Sequence, residues 1–178
     1  MIIEGHILDT EMTRQKFKHI LDSSGAKRIF EIGFNAGNSA RLWLDLGVEH
    51  IQSIDICKWD YTEGRAHELM QEDTRFKFRK MDSANLEESD LDGYDLLFVD
   101  GDHATEAVRN DILLGASAKI PYILVDDYNS SGWNGRIREC VDNVIRQIEY
   151  VWADQTLHYD STGGINRMRL MKYETTGI

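Results

Sequence analysis

Acidic side chains stand at the ends of several short apolar segments of this chain. Asp100 ends one such segment, and Asp126 and Asp127 end another. Carboxylates gathered at one edge of a sheet repel each other unless a cation or a ligand amine neutralises them. Oxygen ligands without sulfur suit Mg²⁺, Ca²⁺ or Mn²⁺ better than zinc. We therefore predict a divalent cation at these three carboxylates. The alternative without a metal is that Asp100 holds the amine of a bound ligand.

A histidine accompanies the first of these acids, since His103 lies three residues beyond Asp100. Imidazole changes its charge near neutral pH, so a histidine beside carboxylates can act as a general base. A purely structural role for His103 is the alternative. Asp102 has two interpretations as well, because an acid just before a helix often only caps that helix.

A glycine-rich segment precedes these residues in the chain, with the sequence RIFEIGFNAGNSARLW from Arg28 to Trp43. A short apolar run ends near Glu31, Gly33 and Gly37 follow, and a helical pattern begins near Asn38. Strand, glycine loop and helix form the arrangement that holds a nucleotide-like cofactor. The free N–H groups at the start of the helix favour a carboxylate or phosphate in the loop.

The whole chain alternates between apolar strands and amphipathic helices. The segment Leu96–Val99 is apolar throughout, as a strand covered on both faces requires. The pattern predicts a single doubly wound α/β domain with an open sheet, closed by an antiparallel hairpin across Ser161–Gly164. The predicted helices are 10–22, capped by Asp9, 38–46, 61–72, 104–118 and 135–149, and the predicted strands are 28–32, 50–56, 76–81, 94–100, 122–126, 151–158 and 166–173.

Size and charge restrict the functions that the chain can have. Its 178 residues predict one domain over residues 1–178, with residues 1–26 as a helical extension. The formal net charge of −11 disfavours nucleic-acid and membrane-surface partners. The first residues lack a basic region, no segment is apolar enough to span a membrane, and the two cysteines form no framework. We therefore expect a cytoplasmic protein, and a homodimer is compatible with the sequence.

Ligands of such sheets bind beyond the carboxyl ends of the strands. Asp55 ends the second strand about twenty residues after the glycine loop, where a carboxylate accepts hydrogen bonds from both ribose hydroxyls. Asp82 and Ser83 follow the third strand and could meet an adenine amino group. The sequence thus predicts a nucleoside-containing cofactor at the same edge as the acids.

Two segments together resemble a known family. EIGFNAGNS, with an acid, two glycines four apart and a serine two later, looks like the first motif of class I S-adenosylmethionine-dependent methyltransferases. DLLFVDGDHATEAVRNDI is similar to the bacterial methyltransferase family 24, which lies near the catechol-type O-methyltransferases. The resemblance covers Lys27 to Tyr173 and implies a Rossmann-like sheet of order 3-2-1-4-5-7-6 with strand seven antiparallel.

The resemblance also implies roles for individual residues. Ser39 would hold the methionine carboxylate, Ile56 would lie against the adenine, and His103 stands where the catechol-type enzymes have a lysine base. Only one helix precedes the domain, so the loop 128–135 with Trp133 would have to cover the acceptor. The implied cofactor-binding residues are Glu31, Gly33, Asn35, Gly37, Ser39, Asp55, Ile56, Asp82, Ser83 and Asp100; the implied metal ligands are Asp100, Asp126 and Asp127; the implied catalytic residues are His103 and Asp100.

The favoured function is methyl transfer from S-adenosylmethionine to an oxygen of a small acceptor, with a divalent cation such as Mg²⁺ assisting. Two alternatives stay open at this point. The chain could bind S-adenosylmethionine without catalysis, or it could be an NAD-dependent oxidoreductase, although it has no room for a separate substrate domain. The sequence does not identify the acceptor.

Overall fold

The computed structural model describes residues 7–128, 135–153 and 168–174. Helices and strands alternate along the chain, with two short 3₁₀ turns between β3 and β4. The elements in chain order are α1 (Glu11–Ser24), β1 (Arg28–Ile32), α2 (Asn38–Asp45), β2 (His50–Asp55), α3 (Thr62–Glu72), β3 (Phe76–Lys80), the turns Ser83–Asn85 and Glu88–Leu91, β4 (Leu96–Val99), α4 (Thr105–Ser117), β5 (Tyr122–Val125), α5 (Arg136–Ile145), β6 (Tyr150–Trp152) and β7 (Arg169–Tyr173).

The strands form one seven-stranded sheet of order β3-β2-β1-β4-β5-β7-β6. Neighbouring strands from β3 to β5 are parallel, whereas β7 runs antiparallel to both β5 and β6. This topology confirms the predicted doubly wound α/β fold and its strand order. The turn of the predicted hairpin, Ser161–Gly164, lies outside the described residues, as do most of the residues joining β6 and β7.

Two hydrophobic clusters cover the two faces of the sheet. On one face, Phe17 of α1 packs on Trp43 of α2 with ring centroids 4.1 Å apart, and both rings meet the edge or face of Phe98 in β4. On the other face, side chains of α4 and α5 such as Ile112 and Val141 are fully buried against the sheet. Burial on both faces explains why β4 and β5 are apolar at nearly every position.

The first helix is capped differently from the prediction. Thr10 is the N-cap, because its hydroxyl accepts a hydrogen bond from the N–H of Thr13 at 3.1 Å. Asp9, the predicted cap, instead forms an ion pair with Arg14 at 2.7 Å. The helix ends at Gly25, whose φ of 65° closes the last turn in the left-handed conformation that glycine adopts readily.

The parallel register brings the carboxyl ends of four strands to one edge. Ile32 of β1 lies beside Ile54 of β2 and Val99 of β4, and Val99 lies beside Val125 of β5. The loops that follow these residues carry most of the predicted site residues. Within the described part of the chain, no helix is long and apolar enough to cross a membrane.

Candidate active site

A single cleft of about 1280 Å³ runs along this edge of the sheet. Its wall includes the glycine loop after β1, Asp55 and Ile56 at the end of β2, and Asp82 and Ser83 after β3. It continues to His103 after β4 and to the acids after β5. The predicted site residues, except Glu31 and Gly37, therefore line one cavity.

The glycine loop is packed too closely for larger residues at two positions. Gly33 has a φ of 96°, and a Cβ added there would lie 2.1 Å from the carbonyl oxygen of Asp100. Gly37 has a φ of 79°, and a Cβ there would lie 2.4 Å from the ring of Phe34. Both positions combine positive φ with close approach, the two circumstances that require glycine. Gly37 is also the N-cap of α2, so the free N–H groups of that helix begin at the loop.

Asp55, the last residue of β2, connects the glycine loop to that strand by hydrogen bonds. Its Oδ2 accepts hydrogen bonds from the backbone N–H groups of Phe34 at 3.0 Å and Asn35 at 2.9 Å. Its Oδ1 accepts from the N–H of Cys57 at 2.6 Å. Asn35 in turn accepts a hydrogen bond from the hydroxyl of Tyr61 at 2.6 Å. The carboxylate predicted to bind the ribose therefore also shapes the loop, and its Oδ1 keeps a lone pair for a further donor.

Glu31 lies beneath the loop and is completely buried. The hydroxyl of Ser39 donates to its Oε1 and the hydroxyl of Ser53 donates to its Oε2, both at 2.5 Å. Burial raises the pKa of Glu31 to about 7, although both hydrogen bonds oppose the shift. Glu31 does not line the cleft, so its contribution to the predicted methionine pocket is to hold the side chain of Ser39.

Replacing Glu31 with glutamine is expected to flatten the dependence of stability on pH. The folded-state pKa of about 7 lies above the ordinary 4.5, so this group stabilises the fold below pH 4.5 and loses that contribution as the pH rises through 7. The lost contribution amounts to about 3 kcal/mol. In urea unfolding, the free energy of unfolding of wild type should therefore fall relative to that of Glu31→Gln as the pH rises from 4.5 to 8. Glu68→Gln, at a side chain that is 58% exposed, is the control, and an identical slope in Glu31→Gln and wild type would contradict the assignment.

The far end of the cleft carries the residues predicted to bind adenine. Ile56 is 56% exposed, which is unusual for a large apolar side chain and suits a ligand ring. Asp82 accepts a hydrogen bond from the N–H of Ala84 at 3.0 Å and begins the 3₁₀ turn that holds Ser83. Asp111 of α4 also lines this end and is only 3% exposed.

In the cleft, Nε2 of His103 donates a hydrogen bond to Oδ2 of Asp127 at 3.1 Å. The hydrogen bond with Asp127 raises the pKa of His103, against the opposing effect of burial. Both side chains are partly exposed to the cleft, at 28% and 16%. The geometry gives an imidazole that a carboxylate orients and whose basicity it increases.

Asp100 and Asp126 lie close enough for their carboxyl groups to interact by a hydrogen bond. Burial, followed by the charge of Asp126, holds the pKa of Asp100 well above its usual range. Burial and the charge of Asp127 raise the pKa of Asp126. A neighbouring carboxylate favours the protonated form of a buried carboxyl group, because like charges repel each other.

The arrangement of these side chains does not match a divalent-cation site. Asp127 contacts His103, and Asp126 lies close to Asp100. In residues 7–128, 135–153 and 168–174, no three acidic, histidine or cysteine side chains are arranged to hold a metal ion. The cation at Asp100, Asp126 and Asp127 stays a prediction from the sequence. The predicted cover of the acceptor by Trp133 lies outside the described residues.

Three contributions to the site were missed in the sequence. Ser53 is a partner of Glu31, and their pairing in the β1–β2 register is a feature of the structure that the sequence pattern does not show. Asp111 lies on a helix whose other buried residues are apolar or small, which makes a buried acid there unusual. Ile7 and Leu8 also line the cleft, and the carbonyl of Ile7 accepts a hydrogen bond from the side chain of Asn38 at 2.9 Å.

Comparison with protein families identifies the domain. A family model described as a methyltransferase domain, that of methyltransferase family 24, matches residues 30–128. The matched segment begins in β1, ends just after β5 and contains the strand ends that form the cleft. The chain belongs to this methyltransferase family. The resemblance inferred from the two sequence motifs is thereby confirmed. None of the curated proteins compared matches the chain.

Solved structures share the fold of this methyltransferase at low sequence identity. The S-adenosylhomocysteine-bound methyltransferase PaMTH1 of Podospora anserina is 15% identical, with a TM-score of 0.71 over 94% of this chain and 80% of that one. The Streptomyces achromogenes O-methyltransferase TomG, solved with S-adenosylmethionine, is 14% identical, with a TM-score of 0.67 over 94% and 82%. A Bacillus cereus O-methyltransferase with S-adenosylhomocysteine is 14% identical, with a TM-score of 0.65 over 96% and 84%.

Proposed function

We propose that this methyltransferase transfers the methyl group of S-adenosylmethionine to a hydroxyl of a small acceptor, with His103 as the general base. The observation that carries the proposal is the continuity of the cleft, which joins the glycine loop and Asp55 to the His103–Asp127 pair. One cavity thus has room for a nucleoside cofactor and, beside it, a base. The O-methyltransferases of the same fold that were solved with S-adenosylmethionine or S-adenosylhomocysteine support this choice of cofactor.

The cofactor would lie across the loops of β1, β2 and β3. Asp55 would accept the ribose hydroxyls, Ile56 would face the adenine ring, and Asp82 with Ser83 would meet the adenine edge. The N–H groups at the start of α2 would hold the methionine carboxylate, since the dipole of a helix favours an anion there. Because the hydroxyl of Ser39 donates to Glu31 when Glu31 is ionised, the backbone of α2 is the better donor for that carboxylate.

The methionine ammonium and the sulfonium give the cofactor a net positive charge. The acids at the ends of β4 and β5 would meet this charge, with Asp100 nearest to the ammonium group. A cation placed there lowers the pKa of a neighbouring carboxyl group. Binding of the cofactor would therefore lower the pKa of Asp100, which burial holds well above its usual range in the free protein.

Methyl transfer itself requires alignment more than activation. The acceptor oxygen attacks the methyl carbon in line with the sulfur, the carbon–sulfur bond breaks, and S-adenosylhomocysteine leaves with the bonding electrons. The acceptor proton would pass to Nδ1 of His103, because Nε2 donates to Asp127, and Asp127 would stabilise the imidazolium that forms. Holding acceptor, methyl and sulfur in line converts a bimolecular encounter into a positioned one.

The proposal is tested by following S-adenosylhomocysteine release while a panel of phenols, alcohols and amines is offered with S-adenosylmethionine. Product should form with at least one hydroxyl acceptor and should carry the methyl group on oxygen by mass spectrometry. Methylation of amines alone would contradict the choice of oxygen. The absence of product with every acceptor, together with tight S-adenosylhomocysteine binding, would favour the non-catalytic alternative.

Calorimetric titration with MgCl₂ tests the divalent cation. Because no three acidic, histidine or cysteine side chains of residues 7–128, 135–153 and 168–174 are arranged to hold a metal ion, we expect no saturable heat. Asp127→Asn is the control variant, since it removes one of the three predicted ligands. A saturable Mg²⁺ heat in wild type that disappears in Asp127→Asn would assign the acids to a cation.

A further inference from the structure

Asp111 is a buried acid at the adenine end of the cleft that the proposed mechanism does not use. It lies in the middle of α4, is 3% exposed, and borders the cleft beside Asn110 and Ala107. The other fully buried residues of that helix are Val108, Ile112 and Gly115, as expected for a face that packs on the sheet. A carboxyl group at such a position needs hydrogen-bond partners to offset its loss of hydration.

The carboxyl group of Asp111 lacks one of these partners. Its Oδ2 is completely buried and accepts or donates no hydrogen bond within the described residues. Its interaction with the Ser83 hydroxyl leaves this oxygen unsatisfied. Terminal rotation of an aspartate side chain is soft, so either oxygen can turn toward the cleft. The carboxyl group of Asp111 can therefore accept a hydrogen bond from a donor on a ligand in the cleft.

Two further carboxyl groups lie near Asp111. Asp82 and Asp102 are close enough for their charges to raise its pKa. Asp82 and Asp102 each accept one backbone N–H, from Ala84 and Ala104 respectively, and their remaining oxygens are further acceptors. A ligand that fits here must bring hydrogen-bond donors without bringing negative charge. An exocyclic amino group on a flat neutral base meets both requirements.

We propose that Asp111 is a specificity-determining residue that accepts a hydrogen bond from the 6-amino group of the cofactor's adenine. This inference rests on the proposed function, because it takes the adenine to lie between Ile56 and Ser83. Asp111 lies on α4, a different element from the loops that carry Ile56 and Asp82. Adenine presents two N–H donors on its 6-amino group, so Asp82 and Asp111 can each accept one. A 6-oxo base would instead point an acceptor at a carboxyl group.

The test compares S-adenosylhomocysteine with S-inosylhomocysteine, which carries a 6-oxo group in place of the 6-amino group, by calorimetry. Wild type should bind the adenosyl compound at least about 100-fold more tightly, since a site built to bind an amino group rejects an analogue without it. Asp111→Asn replaces an acceptor with an amide donor of the same shape. This variant should bind the adenosyl compound about tenfold more weakly and the inosyl compound more tightly. Asp92→Asn, which removes an exposed carboxylate outside the cleft, is the control and should keep the wild-type ratio.

A role of Asp111 in packing alone would weaken both ligands equally, so an unchanged ratio in Asp111→Asn would overturn the inference. If that variant does not fold, Asp111→Ala is titrated with S-adenosylhomocysteine and with the 6-deamino purine analogue. An equal loss of affinity for both compounds would also overturn the inference, and a loss of at least tenfold for S-adenosylhomocysteine alone would support it. Failure of the proposed function looks different, because wild type would then bind neither nucleoside.

Discussion

Replacing His103 with glutamine is expected to lower kcat for methyl transfer by about 10²- to 10⁴-fold, the usual contribution of a positioned general base. Glutamine retains a polar side chain but cannot take up the acceptor proton. The affinity for S-adenosylhomocysteine should change little, because His103 faces the acceptor and not the cofactor in the proposed arrangement. Single-turnover rates with saturating acceptor, together with calorimetric titration of the cofactor product, measure the two effects separately.

His67→Gln is the matched control for this substitution. His67 lies on the exposed side of α3, where its ring hydrogen-bonds Gln71 at 2.9 Å, and it does not line the cleft. The control should retain wild-type kcat. A His103→Gln enzyme with undiminished kcat would remove His103 from the mechanism and leave the acceptor proton to solvent.

The dependence of kcat on pH adds a second readout of the same residue. Only unprotonated His103 can accept a proton, so the rate should rise with pH through a pKa that the hydrogen bond with Asp127 places above 6.5. Asp127→Asn removes this interaction, and the rising limb should therefore move to lower pH. A limb that stays in place would mean that another group controls the protonation step.

Replacing Asp55 with alanine is expected to weaken S-adenosylhomocysteine binding by about 100-fold or more. The variant loses the acceptor for both ribose hydroxyls, and charge-assisted hydrogen bonds contribute about 1.5 to 3 kcal/mol each. It also leaves the N–H groups of Phe34, Asn35 and Cys57 without their acceptor, which should loosen the glycine loop. Calorimetry measures the affinity, and thermal unfolding measures the effect on the fold.

A ligand pair separates the two roles of Asp55. The 2′,3′-dideoxy analogue of S-adenosylhomocysteine lacks the ribose hydroxyls, so Asp55→Ala should weaken its binding much less than that of the parent compound. Equal losses would show that Asp55 acts through the loop alone. Asp60→Ala removes an exposed carboxylate nearby that does not line the cleft, and this control should bind as wild type does.

The sheet was predictable because its strands carry strong local signals. Apolar runs such as Leu96–Val99 indicate a strand that is covered on both faces. The turn residues between these runs mark where strands and helices alternate. The strand order came from the family resemblance, since periodicity does not say which strands are neighbours. The helix start at Thr10 was misplaced by one residue, because Asp9 and Thr10 are both good caps and the ion pair with Arg14 decides between them.

The location of a site residue was predictable where the residue directly follows a strand. The hydrogen-bond partners of its side chain were not predictable, because they depend on the three-dimensional structure. Asp55, Asp82 and His103 follow strand ends, so their arrival at one edge follows from a parallel sheet. The hydrogen bonds of Glu31 with Ser39 and Ser53 join three elements, and the motif alone does not reveal that Ser39 donates away from the cleft. The interaction of Asp100 with Asp126 likewise depends on distances and burial that a sequence pattern does not contain.

The central claim is that the cleft binds S-adenosylmethionine and its product. Parallel calorimetric titrations of the wild-type chain with S-adenosylhomocysteine and with NAD⁺ test it most directly. We predict one saturable site for S-adenosylhomocysteine, with an affinity that falls in Asp55→Ala, and no saturable heat with NAD⁺. Saturable binding of NAD⁺ without binding of S-adenosylhomocysteine would contradict the account.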